Sequence, residues 1–109
     1  MAAKAIPPDV RRQVDEIVER FNHETFRGTD IRYVPRYKGL YLYFDRYAWG
    51  RGGPICRLRY TGKMDRWEFA IFKYSSERYD PDEWMFPGSE HLDGTIEGAL
   101  RTGLEAYPP

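Results

Sequence analysis

The feature that most limits how this chain can fold is a change of hydrophobic period near residue 30. Val10, Val14, Ile17, Val18 and Phe21 recur at three- and four-residue spacing, so they share one stripe of a helix. From Ile31 to Tyr74 the sequence alternates instead, the pattern of strands whose two faces meet different surroundings. A second helical pattern follows in Leu92, Ile96, Ala99, Leu100, Gly103, Leu104 and Tyr107. Helix, strands and helix, each apolar on one side, predict an α+β fold. Its four- to five-stranded antiparallel sheet carries the N-terminal and C-terminal helices packed on one face. At 109 residues the chain fits one core, so residues 1–109 are expected to form a single domain.

Local signals set the boundaries. Pro7-Pro8 and Asp9 open the first helix, and Asn22 with Arg27-Gly28-Thr29 marks its end. Strands are expected over residues 31–37, 40–45, 55–60 and 67–74, with a short fifth over 78–80. The first two join at Lys38-Gly39. Pro35 lacks an amide donor and assigns its strand to a sheet edge. Residues 49–54 read as a flexible loop, and the segment 81–88 as a loop rich in turn residues. Gly94, Gly98 and Gly103 each weaken an isolated helix by about 1 kcal/mol relative to alanine. The last helix should therefore depend on docking, with Gly103 allowing close backbone approach.

Alternation also assigns faces. Leu40, Leu42, Phe44, Cys56, Leu58, Tyr60, Trp67, Phe69 and Ile71 fall on an apolar side. Tyr41, Tyr43, Asp45, Arg57, Arg59, Glu68 and Ala70 fall on the other, with Arg32 and Arg36.

Charge is balanced overall but segregated. Residues 26–66 hold ten basic and three acidic residues, whereas 67–109 hold three basic and nine acidic. Attraction between these parts within the fold is the preferred reading over separate partners. The single Cys56 rules out an internal disulfide framework. No secretory pattern is visible, and no run approaches the roughly 20 apolar residues of a membrane span. A reduced, cytoplasmic setting with no membrane association is expected.

The strands carry a family resemblance. Lys38-Gly39-Leu40-Tyr41-Leu42, Gly53-Pro54-Ile55-Cys56-Arg57-Leu58-Arg59-Tyr60, Trp67-Glu68-Phe69 and Arg78-Tyr79 resemble the bacterial family catalogued as domain of unknown function 3024, over roughly residues 37–107. The resemblance implies the same strand succession and a final helix, and it implies no activity. Family members tend to end in Phe-Trp-Gly, where this chain has Tyr107-Pro108-Pro109, and the N-terminal helix also differs.

Arg57 and Arg59 with Tyr41 and Tyr43 form the leading candidate binding group. Exposed tyrosines can stack bases or sugars while guanidiniums hold phosphates. The competing expectation pairs Arg57 and Arg59 with Glu68 and Asp45 across strands, and it is preferred. Trp49-Gly50-Arg51-Gly52-Gly53 could cradle an anion but lacks the Lys-Ser/Thr ending of a phosphate loop. Asp80, Asp82 and Glu83 read as a solvated turn rather than a cation site. His23 and His91 have no ligand-like spacing, His23 suits a helix C-terminus, and Cys56 reads as core.

No metal or cofactor is expected. The expected function is a non-enzymatic binding or interaction module with an unidentified partner, either another protein or a second copy. Nucleic-acid binding through the Arg/Tyr face is possible but less favoured. An enzyme with a site near the 81–88 loop is a further alternative.

Overall fold

The computed structural model describes residues 4–109, so residues 1–3 of the expected domain lie outside it. Helix α1 spans Pro8–Thr25 and buries Val10, Val14, Val18 and Phe21. Pro8 sits where the helix leaves N–H groups unpaired, and Asp9 faces the positive end of the dipole. The helix continues past Asn22, its expected end. The Asn22 side chain instead bonds Tyr33, accepting from its N–H at 2.8 Å and donating to its carbonyl at 2.9 Å.

Five strands follow in a meander whose spatial order is the order of the sequence. They are β1 Arg32–Lys38, β2 Tyr41–Ala48, β3 Arg51–Arg59, β4 Glu68–Lys73 and β5 Arg78–Asp80, all antiparallel. β1 is an edge strand, as Pro35 requires. The first hairpin turns on Gly39-Leu40, with Gly39 at φ 60°, so Leu40 leaves the apolar strand face to which alternation assigned it.

Residues 49–54 are not a flexible loop. Trp49 (φ 57°) and Gly50 (φ 82°) form a two-residue hairpin turn, and Arg51–Pro54 already belong to β3. Positive φ at both central positions matches the right-handed twist of the flanking strands. Alternation missed these residues because Gly52 and Gly53 have no side chains to alternate. The Tyr47 ring covers Gly52 in their place.

Leu42, Phe44, Cys56, Leu58, Trp67 and Ile71 form the apolar face as expected, and both helices pack on that side. A bulge interrupts β2–β3 pairing: Phe44 opposes Cys56 and Asp45 opposes Pro54, leaving Ile55 extra. Ile55 and Cys56 are consequently both buried.

Helix α2 spans Ile96–Ala106. It starts later than the Leu92 periodicity suggested, because Thr95 caps it by accepting from the Gly98 N–H at 3.1 Å. Leu92 follows a single 3-10 turn, Ser89–His91, and Gly94 (φ 86°) is not helical. Gly94 instead passes tightly over the Asp65 carbonyl, and its own carbonyl accepts from the Trp67 N–H at 2.9 Å.

The docking of α2 is unusually close. A Cβ on Gly103 would lie 2.6 Å from the Tyr33 hydroxyl and 2.7 Å from Ile55 Cγ2. The Tyr33 hydroxyl donates to the Leu100 carbonyl at 2.8 Å. Arg46, on the core face and only 9% exposed, donates to the carbonyls of Gly103 (3.3 Å) and Tyr107. The last turn of α2 has no basic residue, so Arg46 places a cation from the sheet at the negative end of the helix dipole. No helix of the described residues is long and apolar enough to cross a membrane.

Gly103→Ala tests the docking directly. Alanine adds about 1 kcal/mol of helix propensity, while overpacking costs about 1–3 kcal/mol. The expected outcome of a urea titration is a net loss of stability with an unchanged slope. A stabilised variant would contradict the close approach.

Alkaline pH tests the buried Tyr33 phenol and the half-buried Tyr37 phenol. Burial raises the Tyr33 hydroxyl, and burial followed by the 2.6 Å bond to Asp15 raises that of Tyr37. The folded state therefore keeps protons that the unfolded chain releases. Stability is fully present below the ordinary tyrosine value of about 10 and should decline as pH rises above it. Thermal melts at increasing alkaline pH should show this fall, and Tyr37→Phe should lessen it.

Candidate functional site

The helix-free side of the sheet gathers the cationic and aromatic residues. Strand pairing sets Tyr41 opposite Arg59 and Tyr43 opposite Arg57, so the four expected residues share one patch. β1 adds Arg36 opposite Tyr43 and Lys38 opposite Tyr41. The Arg57 guanidinium lies 4.6 Å from the Tyr41 ring centre and 5.6 Å from that of Tyr79. Tyr43 packs edge-on against Tyr79 at 5.2 Å, and Arg36 lies 4.7 Å over Tyr43. Tyr79 was not among the expected site residues. Only the pairing of Phe72 with Tyr79 brings it to this face, and a three-residue strand displays too little alternation to announce a side.

The ionic pairing is half of what charge alternation suggested. Arg59 donates to Glu68 at 3.0 Å. Asp45, however, is held by Arg36 through two contacts of 3.2 and 3.4 Å. Among the described residues Arg57 takes no carboxylate. Arg36 and Arg57 both oppose Tyr43 and so both lie diagonally from Asp45. The carboxylate goes to Arg36 across the regular β1–β2 ladder, while the bulge interrupts β2–β3 pairing beside it. The wider charge segregation is likewise little compensated. Of the ion pairs among the described residues, Arg59–Glu68 alone joins the basic segment to the acidic one. Burial, then the nearby Asp45 charge, raises the Tyr79 phenol, so it stays neutral.

A cleft of about 180 Å³ opens beside Arg57. Tyr41, Arg57, Arg59, Glu68, Phe69, Ala70 and Pro81 line it. Ala70 lies on the open face, as alternation required, yet it is buried beneath these longer side chains. Its single methyl leaves the space that a larger residue would fill. The lining holds two guanidiniums and one carboxylate, with no histidine, cysteine or hydroxyl nucleophile other than a tyrosine phenol.

The other candidates are accounted for by their local surroundings. The glycine segment after Trp49 is hairpin and strand and opens no helix. Lys73 binds Glu83 at 3.1 Å and lies 3.9 Å from Asp80, while Asp80 and Glu83 accept from the N–H groups of Asp82 and Met85. The Lys73 bond holds the Glu83 carboxyl below the usual carboxylate range. His23 lies in the last turn of α1. His91 does have carboxylate neighbours, which linear spacing concealed: its Nε2 lies 2.9 Å from Glu105, and Glu90 completes a group within 4.8 Å. Glu105 engages the imidazole directly, at the surface.

No family model, curated protein or solved structure matches this chain.

Cys56 is fully buried, and burial raises its thiol well above the ordinary value, partly opposed by Arg46. A thiolate reagent at neutral pH should therefore modify native protein only as fast as the chain opens, and modify it at once in denaturant. Rapid labelling of native protein would remove Cys56 from the core.

Proposed function

We propose that this chain is a non-enzymatic binding module whose ligand docks on the helix-free Arg/Tyr face. Arg57 carries the reading. Its guanidinium lies against two tyrosine rings and has no carboxylate partner among the described residues. A guanidinium stacked by its plane keeps its N–H edge free for a planar or tetrahedral anion. Arg32, Arg36, Lys38, Arg57 and Arg59 on this face outnumber Asp45 and Glu68, which favours an anionic partner. A cytoplasmic location is part of the proposal. Kinship with the domain of unknown function 3024 family is compatible with it and adds no activity.

A second reading, binding of single-stranded nucleic acid, is favoured by three guanidinium-on-tyrosine pairs across β1–β3. They are Arg32 on Tyr47 (5.1 Å), Arg36 on Tyr43 and Arg57 on Tyr41. It requires affinity that falls with salt by a log–log slope of roughly −0.7 per phosphate contacted.

Amide chemical-shift mapping against nucleotides, oligonucleotides and anionic metabolites tests both. The expected result is perturbation confined to Tyr41, Tyr43, Arg57, Arg59 and Tyr79. Arg57→Ala should reduce affinity by about tenfold or more. Perturbation on the helix side alone would overturn the assignment.

A further inference from the structure

We infer that the cleft beside Arg57 receives the terminal phosphate of a small aromatic phosphomonoester, of the nucleoside 5′-monophosphate class. The inference rests on the binding reading above and names the ligand of that face. Three observations converge on it.

Size comes first. A cleft of about 180 Å³ holds the liquid volume of roughly six waters. That is room for one phosphoryl or carboxylate group, with no space for a sugar and a base as well.

Charge selects between those groups. Arg57 and Arg59 both line the cleft, and Glu68 engages one nitrogen of Arg59. Arg57 and the remaining Arg59 donors are left to a ligand. A phosphomonoester carries about −1.5 to −2 at neutral pH and offers three acceptor oxygens, so it matches two guanidiniums better than a monoanionic carboxylate does. Arg57 is the stronger anchor, because no carboxylate competes for it among the described residues.

The rings beyond the cleft supply the third element. Tyr43 and Tyr79, outside the cleft, pack edge-on against each other, and the Arg57 guanidinium lies 5.6 Å from the Tyr79 ring centre. A phosphate bound at Arg57 would carry its attached ring system across these tyrosines, where stacking contributes without demanding one particular base. A terminal phosphate is preferred over an internal phosphodiester for two reasons. The diester has a single negative charge, and it must extend chain in both directions from a cleft lined on its loop side by Pro81.

Calorimetric titration of the full chain, with amide chemical-shift mapping alongside, tests this with four probes: adenosine 5′-monophosphate, adenosine, inorganic phosphate, and a short oligonucleotide with hydroxyl ends. Adenosine monophosphate should bind about tenfold or more tighter than adenosine. Inorganic phosphate should bind weakly while shifting the same Arg57 and Arg59 resonances. Arg57→Ala should remove most of the affinity for the monophosphate, and so should filling the cleft by Ala70→Leu. Because Ala70 is buried, Arg59→Ala serves as the surface variant, and circular dichroism checks that each variant folds.

Equal binding of adenosine and its monophosphate would overturn the phosphate assignment. Tighter binding of the hydroxyl-ended oligonucleotide would overturn it in favour of a polymer. If the monophosphate fails while another anion perturbs the Arg/Tyr face, this inference falls and the binding reading stands. If no probe perturbs that face, both fall.

Discussion

The guanidinium of Arg46 against the C-terminal carbonyls of α2 is the contact on which the arrangement of this protein depends. α2 is only 11 residues long, includes Gly98 and Gly103, and has no basic residue in its last turn. Such a helix is marginal by itself, since helices below about 12–15 residues rarely persist in water without packing. Arg46 and Tyr33 bring three sheet-borne donors to its Leu100, Gly103 and Tyr107 carbonyls. The Arg46 charge is nearly buried, so its cost is offset only if those carbonyls stay in place. The two groups hold each other: the helix end needs the cation, and the buried cation needs the helix end.

That requirement reaches the opposite face of the sheet. Placing Ile55 under Gly103 takes an extra residue in β3, and the resulting bulge lies between Phe44 and Asp45. The same bulge sits beside Asp45 on the open face, where the carboxylate goes to Arg36 and Arg57 keeps no acid among the described residues.

The β1 edge is covered by a separate device. Asn22 satisfies both the N–H and the carbonyl of Tyr33, Thr29 accepts from the Ile31 N–H at 3.2 Å, and Pro35 has no N–H to offer. Successive outward positions are occupied or empty of donors, which discourages pairing with a second chain along this edge. The broad face carrying Arg57 is left as the surface where a ligand meets side chains rather than backbone.

Much of the fold was legible in the sequence because burial imposes a period. The two helices, the meander, the edge position of Pro35, the core face and the Arg/Tyr face follow from which residues alternate and which recur each turn. The intimacy of Gly103 with the sheet was legible too, from a glycine in the middle of an apolar stripe. Three things were not. Arg46 reads as an ordinary surface charge until α2 is seen to end above it, and Asn22 reads as a helix stop until β1 lies beside it. Tyr79 joins the site only through the register of a three-residue strand. The sides faced by the residues of the longer regular elements follow from the chain alone, because periodicity is local. Which charges pair is set by packing, because the partners come from separate strands and meet only when the sheet is assembled.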